Sequence, residues 1–132
     1  MSMAVFWLTM HFVRQRALAN QIAIGKALYA QYCASCHGTK LEGQPNWQTR
    51  NADGKLPAPP HNDSGHTWHH SDEQLFKITK SGVSAIVPDY ESDMIGFEGK
   101  MSDEEIRTVI NFIKSTWSPR YRDYQAERNR FQ

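Results

Sequence analysis

The 132-residue sequence predicts an all-α domain of three to four helices joined by long loops. Three observations lead there. Two segments place a Ser-x-x-Gln or Ser-x-x-Glu capping box ahead of apolar residues at helical spacing. No segment has the period-two alternation of a half-buried strand. The polar stretch from Gly38 to His70, with Pro45, Pro57, Pro59 and Pro60, is too long for a structureless loop in a compact domain unless it wraps something.

The elements follow in order. Met3 to Val13, "MAVFWLTMHFV", is an apolar run of signal-peptide length, and Ala17-Leu18-Ala19 is an A-x-A cleavage pattern before Asn20. No Lys or Arg precedes the run, and Arg14 and Arg16 sit where a signal is usually neutral. Residues 1–19 are therefore expected to be a signal peptide, with an uncleaved amphipathic helix or N-terminal membrane anchor as the alternative. Asn20 to Tyr32 should be a helix with Ile24, Leu28 and Tyr32 on one face and Ala27 alongside, ending near Cys33. Ser71 to Gly82 is the next, with Ser71 and Gln74 as its capping box and Gly82 as its C-cap. A second loop, Val83 to Met101, leads to "SDEEIRTVINFIKSTW", where Ser102 and Glu105 repeat the box. Ile106, Val109, Ile110, Ile113 and Trp117 give that helix one buried stripe. A tail helix in residues 119–132 should start with Ser118 as cap and Pro119 at its first position. The expected domain is thus 20–118, and no internal repeat interrupts it.

Composition sets limits. Lys plus Arg number 15 and Asp plus Glu 14, so no charge excess points to nucleic acid. With 39% hydrophobic residues, so small a chain benefits from a staple such as a metal, disulfide or cofactor. No apolar run reaches the length of a membrane span.

The staple is indicated by "YCASCHGT", Tyr32 to Thr39, which contains both cysteines of the chain. A zinc site needs four ligands at other spacings. A redox dithiol expects a βαβ context, and a disulfide across so short a loop would stabilise little. C-x-x-C-H is instead the signature of c-type haem attachment. Each thiol can add to one haem vinyl group, and the next residue, His37, is carried beneath the macrocycle where its imidazole can bind iron. Haem also supplies the apolar plate that the core lacks.

From about Gly25 to Trp117 the sequence resembles the class I cytochromes c, of the bacterial mono-haem type. Gly25 and Tyr29 precede "CASCHG" as that family's first helix does, and "SDEEIRTVINFIKSTW" is similar to its C-terminal helix. The resemblance implies the cytochrome c fold, one covalently bound haem c per chain at Cys33 and Cys36, and His37 as proximal iron ligand. It implies a helix crossing of Gly25 with Val109 and Phe112. It also implies a distal ligand, Met94, in "SDMIGFEGKMSDEEI", with Phe97 packed nearby. Ile95 stands where the family usually has Pro. A proline carbonyl usually receives the proximal histidine's second N–H, and Pro45 is the candidate. In "LPAPPHNDSGHTWHH", Trp68 and neighbouring histidines are candidates for haem propionate contacts, and His61, His66, His69 and His70 are otherwise expected in solvent.

The function this implies is single-electron transfer between redox proteins, such as a respiratory-chain donor and a terminal oxidase or reductase. The expected location is the periplasm or another extracytoplasmic space, with membrane association through the N-terminal segment. The alternative is a haem enzyme or gas-binding sensor with an open distal site.

Overall fold

The computed structural model describes residues 2–131. Among the described residues there are five α-helices: α1 Met3–Tyr32, α2 Ala34–His37, α3 Asp72–Ser81, α4 Asp103–Ser115 and α5 Pro119–Arg128. Single 3₁₀ turns occur at Thr67–His69, Val83–Ala85 and Asn129–Phe131. No strand is found among the described residues, so the all-α expectation holds.

Helix α1 starts at Met3 rather than Asn20, and it passes residue 20 without a break. Its N-terminal part is apolar and exposed, with Trp7 at 70%, Leu8 at 69% and Phe12 at 61%. Only from Ile22 does it meet the core, through Gly25, Leu28 and Tyr29. The buried face is therefore offset from the expected one, and Ile24 and Ala27 are exposed. The reason is steric. A β-carbon on Gly25 would lie 2.5 Å from the Thr108 backbone oxygen and 2.7 Å from Phe112 Cβ. Close approach at a glycine, and not the densest apolar stripe, decides which face packs on α4. Phe112 is in the expected crossing position, and the Thr108 backbone beside it comes closest to Gly25.

Helices α3 and α4 begin as their sequences predict. Ser71 Oγ accepts from Gln74 N, and Ser102 Oγ accepts from Glu105 N, both at 3.2 Å. The reciprocal bonds run from Ser71 N to Gln74 Oε1 and from Ser102 N to Glu105 Oε2. Gly82 ends α3 at φ 88°, a conformation favouring glycine. Helix α4 buries Ile106, Val109, Ile110, Phe112 and Ile113 against α1 and α3.

Helix α5 has Pro119 in its first turn, as expected, but the Ser118 hydroxyl makes no capping bond. The Ser118 N–H donates instead to the carboxylate of Asp63, 3.0 Å away in the long loop. The helix docks through polar groups. Gln125, 1% exposed, donates to Asp72 Oδ1 at 2.8 Å. Lys114 Nζ reaches the same oxygen at 2.6 Å, and Asn129 Nδ2 donates to Asp72 Oδ2 at 3.1 Å. One carboxylate thus joins α3, α4 and the tail.

The crossing yields a prediction. Gly25→Leu should destabilise the protein by about 1–3 kcal/mol, the usual overpacking range, although it improves helix propensity. Denaturant titration of the purified protein measures it, and a variant as stable as the parent would move the crossing elsewhere.

Candidate functional site

Cys33 closes α1, its N–H donating to Tyr29 O at 2.9 Å, and the chain turns directly into the single turn of α2. The His37 N–H donates to Cys33 O at 2.9 Å, so both thiols lie on one helical turn. Both are free, Cys33 half-buried and Cys36 exposed. Gly38 ends the turn at φ 84°, and the Tyr29 hydroxyl donates to its carbonyl at 2.8 Å. Burial, and then the neighbouring Cys36, pushes the Cys33 thiol up to about 11. It is a protonated thiol at neutral pH.

His37 is buried, and its Nδ1 lies 2.8 Å from the Pro59 carbonyl. A carbonyl can only accept, so Nδ1 carries the proton and the Nε2 lone pair is free for a metal. Burial lowers the basicity of this imidazole against the opposing effect of that hydrogen bond. Pro59, not Pro45, holds the ring; Pro45 is exposed. The long loop doubles back on itself at Gly43, where φ is 70° and a β-carbon would stand 2.5 Å from Pro60 N. The Gln44 N–H donates to Ala58 O at 2.9 Å and Gln44 Oε1 accepts from Ala58 N at 2.8 Å. That fold-back carries residues 58–60 past His37.

The histidines do not all lie in solvent as expected. The His61 ring stacks on His37, with centroids 3.9 Å apart and planes 26° apart. His70 is partly buried, while His66, stacked on Trp47, and His69 are exposed as expected. Trp68 lies between His69 and Tyr121, at 4.1 and 4.2 Å between ring centroids. Its Nε1–H is buried without a hydrogen-bond partner. Sequence reasoning missed the His61 contact because it is made across 24 positions of irregular loop. The only local signal was the turn-forming "APPHND" itself.

Met94 is partly buried in the second loop, its N–H donating to Ser92 Oγ at 3.1 Å. Just beyond it, Phe97 N and Glu98 N donate to Thr79 O and Lys80 O at 2.9 and 3.0 Å, fastening the segment to the end of α3. Gly96 permits this contact, since a β-carbon there would be 2.6 Å from Lys80 O. Lys55 pairs with Asp93 at 2.5 Å, and Arg50 lies over the Tyr90 ring. The two long loops are therefore joined beside Met94. The other methionine of the expected domain, Met101, is 5% exposed in the core with Ile106.

Residues 20–113 match the family model described as cytochrome C oxidase, cbb3-type, subunit III. The chain belongs to this family. It is 32% identical over 101 residues to the cbb3-type cytochrome c oxidase subunit FixP of Bradyrhizobium sp. (strain ORS 278), which covers 74% of this chain and 31% of that protein. The chain thus spans about a third of the length of the curated relative it matches. No solved structure matches it. The family makes the chain a c-type cytochrome of the all-α kind.

The residues around the C-x-x-C-H turn fit a haem. Two unpaired thiols flank one turn, and a buried imidazole offers Nε2. Trp68 holds a buried N–H without an acceptor, the kind of donor a propionate satisfies. Among the described residues no three His, Cys, Asp or Glu side chains converge as a metal cage.

The loop histidines also make stability depend on pH. His61, His66 and His70 all have lowered basicity, first from burial and then from neighbouring histidines. Unfolding raises each toward the ordinary value near 6.5, so the unfolded state binds more protons. Stability is fully present above that value and is lost as pH falls below it. Denaturant midpoints of the purified protein should decline from about pH 7 to about pH 5. A flat profile would mean these rings are as well solvated folded as unfolded.

Proposed function

We propose that this chain carries one haem c, held by thioethers from Cys33 and Cys36 with His37 and Met94 as axial iron ligands, and passes single electrons between redox proteins. One observation carries the reading: directly after two free thiols on one turn, a buried imidazole donates Nδ1–H to Pro59 O at 2.8 Å and keeps Nε2 available. When bound, haem supplies reversible one-electron chemistry between ferric and ferrous iron. The chain does the rest. The bond to Pro59 holds the His37 tautomer and makes Nε2 a better donor. Ser92 and the end of α3 anchor the segment that presents the Met94 thioether. With His37 and Met94 both holding iron, no position would be left open for a substrate, which supports a carrier rather than a catalyst.

The FixP relative is a cbb3-type cytochrome c oxidase subunit, which supports a terminal oxidase as acceptor; a respiratory-chain protein would be the donor. The family match begins at residue 20, one position after Ala17-Leu18-Ala19. This supports a division into an N-terminal segment 1–19, a cytochrome domain 20–118 and a helical tail 119–132. The domain works outside the cytoplasm. No helix of the described residues is long and apolar enough to cross a membrane. The exposed apolar part of α1, Met3 to Val13, about 16 Å of helix at 1.5 Å per residue, associates with the membrane instead.

Two experiments test the reading. Cys33→Ala with Cys36→Ala removes both thiols of the chain and should abolish haem staining after denaturing electrophoresis; a stained band would sink the attachment sites. Met94→Ala should remove the weak sulfur-to-iron charge-transfer band of the ferric protein and let carbon monoxide bind the reduced iron. It should also lower the potential by on the order of a tenth of a volt, within the ~0.8 V that axial ligands span. Met101→Ala should keep the band and lose only stability. The reverse behaviour would make Met101 the ligand.

A further inference from the structure

Beyond the ligands themselves, the long loop puts one ring against the face of His37. His61 stacks on it at 3.9 Å with a 26° interplanar angle. Three contacts hold His61 in turn. The Trp117 Nε1–H donates to the His61 carbonyl at 2.8 Å and fixes its backbone on the core. The buried Thr67 Oγ1 is hydrogen-bonded to His61 Nδ1 at 2.7 Å and lies 3.4 Å from Pro60 O. Tyr29, from the same helix that delivers Cys33, meets the ring edge-on at 6.4 Å and 76°.

The hydrogen bond from His37 to Pro59 fixes one atom of the ligand ring but only loosely fixes its plane, because such bonds tolerate tens of degrees of misalignment. A flat neighbour in van der Waals contact removes that freedom. We propose that His61 is a positioning residue for His37, setting the plane of the proximal imidazole through its stacked face while Thr67 and Trp117 hold His61 itself. The assignment rests on His37 being the haem ligand. Its consequence lies in the ferric iron's electronic structure, since the plane of an axial imidazole sets how unpaired spin spreads over the macrocycle.

The test uses the full-length haem-loaded protein and the proton NMR shifts of the haem ring methyls in the ferric state, together with the reduction potential. His61→Ala should reorder and shift those resonances while covalent haem and the red charge-transfer band are retained. His61→Phe, which keeps a flat face, should return them toward the parental pattern. Parental shifts in His61→Ala, with only a lowered denaturation midpoint, would reduce His61 to packing and overturn the proposal. If His61→Ala gives no folded protein, His61→Leu against His61→Phe decides. Leu fills space without a flat face, so identical patterns in the two would also overturn it. A parent protein without covalent haem would overturn the haem reading, and this inference with it. A haem-loaded parent with an indifferent His61→Ala would overturn this inference alone.

Discussion

Where α1 crosses α4, the backbone of Thr108 comes within 2.5 Å of the place a β-carbon on Gly25 would occupy. The two helices can therefore approach backbone to backbone, which puts Phe112 against Tyr29 with ring centroids 5.6 Å apart. Tyr29 in turn holds the carbonyl of Gly38 and closes the turn that carries Cys33, Cys36 and His37. Widening the crossing would shift the C-terminal end of α1, and both thiols and the imidazole with it. A residue lacking a side chain thus governs the geometry of Cys33, Cys36 and His37. Glycine costs roughly 1 kcal/mol of helix propensity here, and tight packing is what offsets it.

The long loops gain order from contacts with the helical frame. Residues 58–61 are held at several points: Ala58 by Gln44, Pro59 by His37, and the His61 carbonyl by Trp117. Asp63 receives the first free N–H of α5, so the same loop also starts the last helix. The Met94 segment is bonded to the C-terminal carbonyls of α3, groups a helix end leaves without intrahelical partners. Both loops use backbone groups that helix ends or turns leave free. This is how a chain with few apolar residues orders so much irregular backbone.

Polar docking of α5 has a different logic. Asp72 accepts from Lys114, Gln125 and Asn129, and Gln125 is almost fully buried. Such a network stabilises only when all its members are satisfied, and it specifies one arrangement more sharply than an apolar contact would. The tail is thereby fixed over the Thr67–His69 turn, where Tyr121 and Tyr124 enclose Trp68. Its arginines accompany a helix whose buried Gln125 makes the contact polar. Arg128 itself donates to His69 O at 3.0 Å.

Much of the fold was legible locally. The capping boxes at Ser71 and Ser102, the glycine stop at Gly82, Pro119 at the start of α5 and C-x-x-C-H after a helix all act within a few residues, so spacing alone reveals them. The family match from residue 20 agrees with the class of protein those motifs implied. What acts across the chain was not legible. The offset of the buried face of α1 depends on α4, and the N-terminal extension of α1 lacks the amphipathic stripe that would mark a packed helix. Pro59 rather than Pro45 reaches His37 because the loop folds back at Gly43. His61, one of several histidines in a polar loop, meets His37 only when Thr67 and Trp117 hold it there. Sequence by itself determined the capped starts of α3 and α4, the glycine that ends α3, the proline that opens α5 and the C-x-x-C-H motif, because those follow from local hydrogen bonding and side-chain chemistry. Only the tertiary structure decided which proline and which histidine attend the imidazole, because loop closure joins residues whose sequence carries no periodic signal.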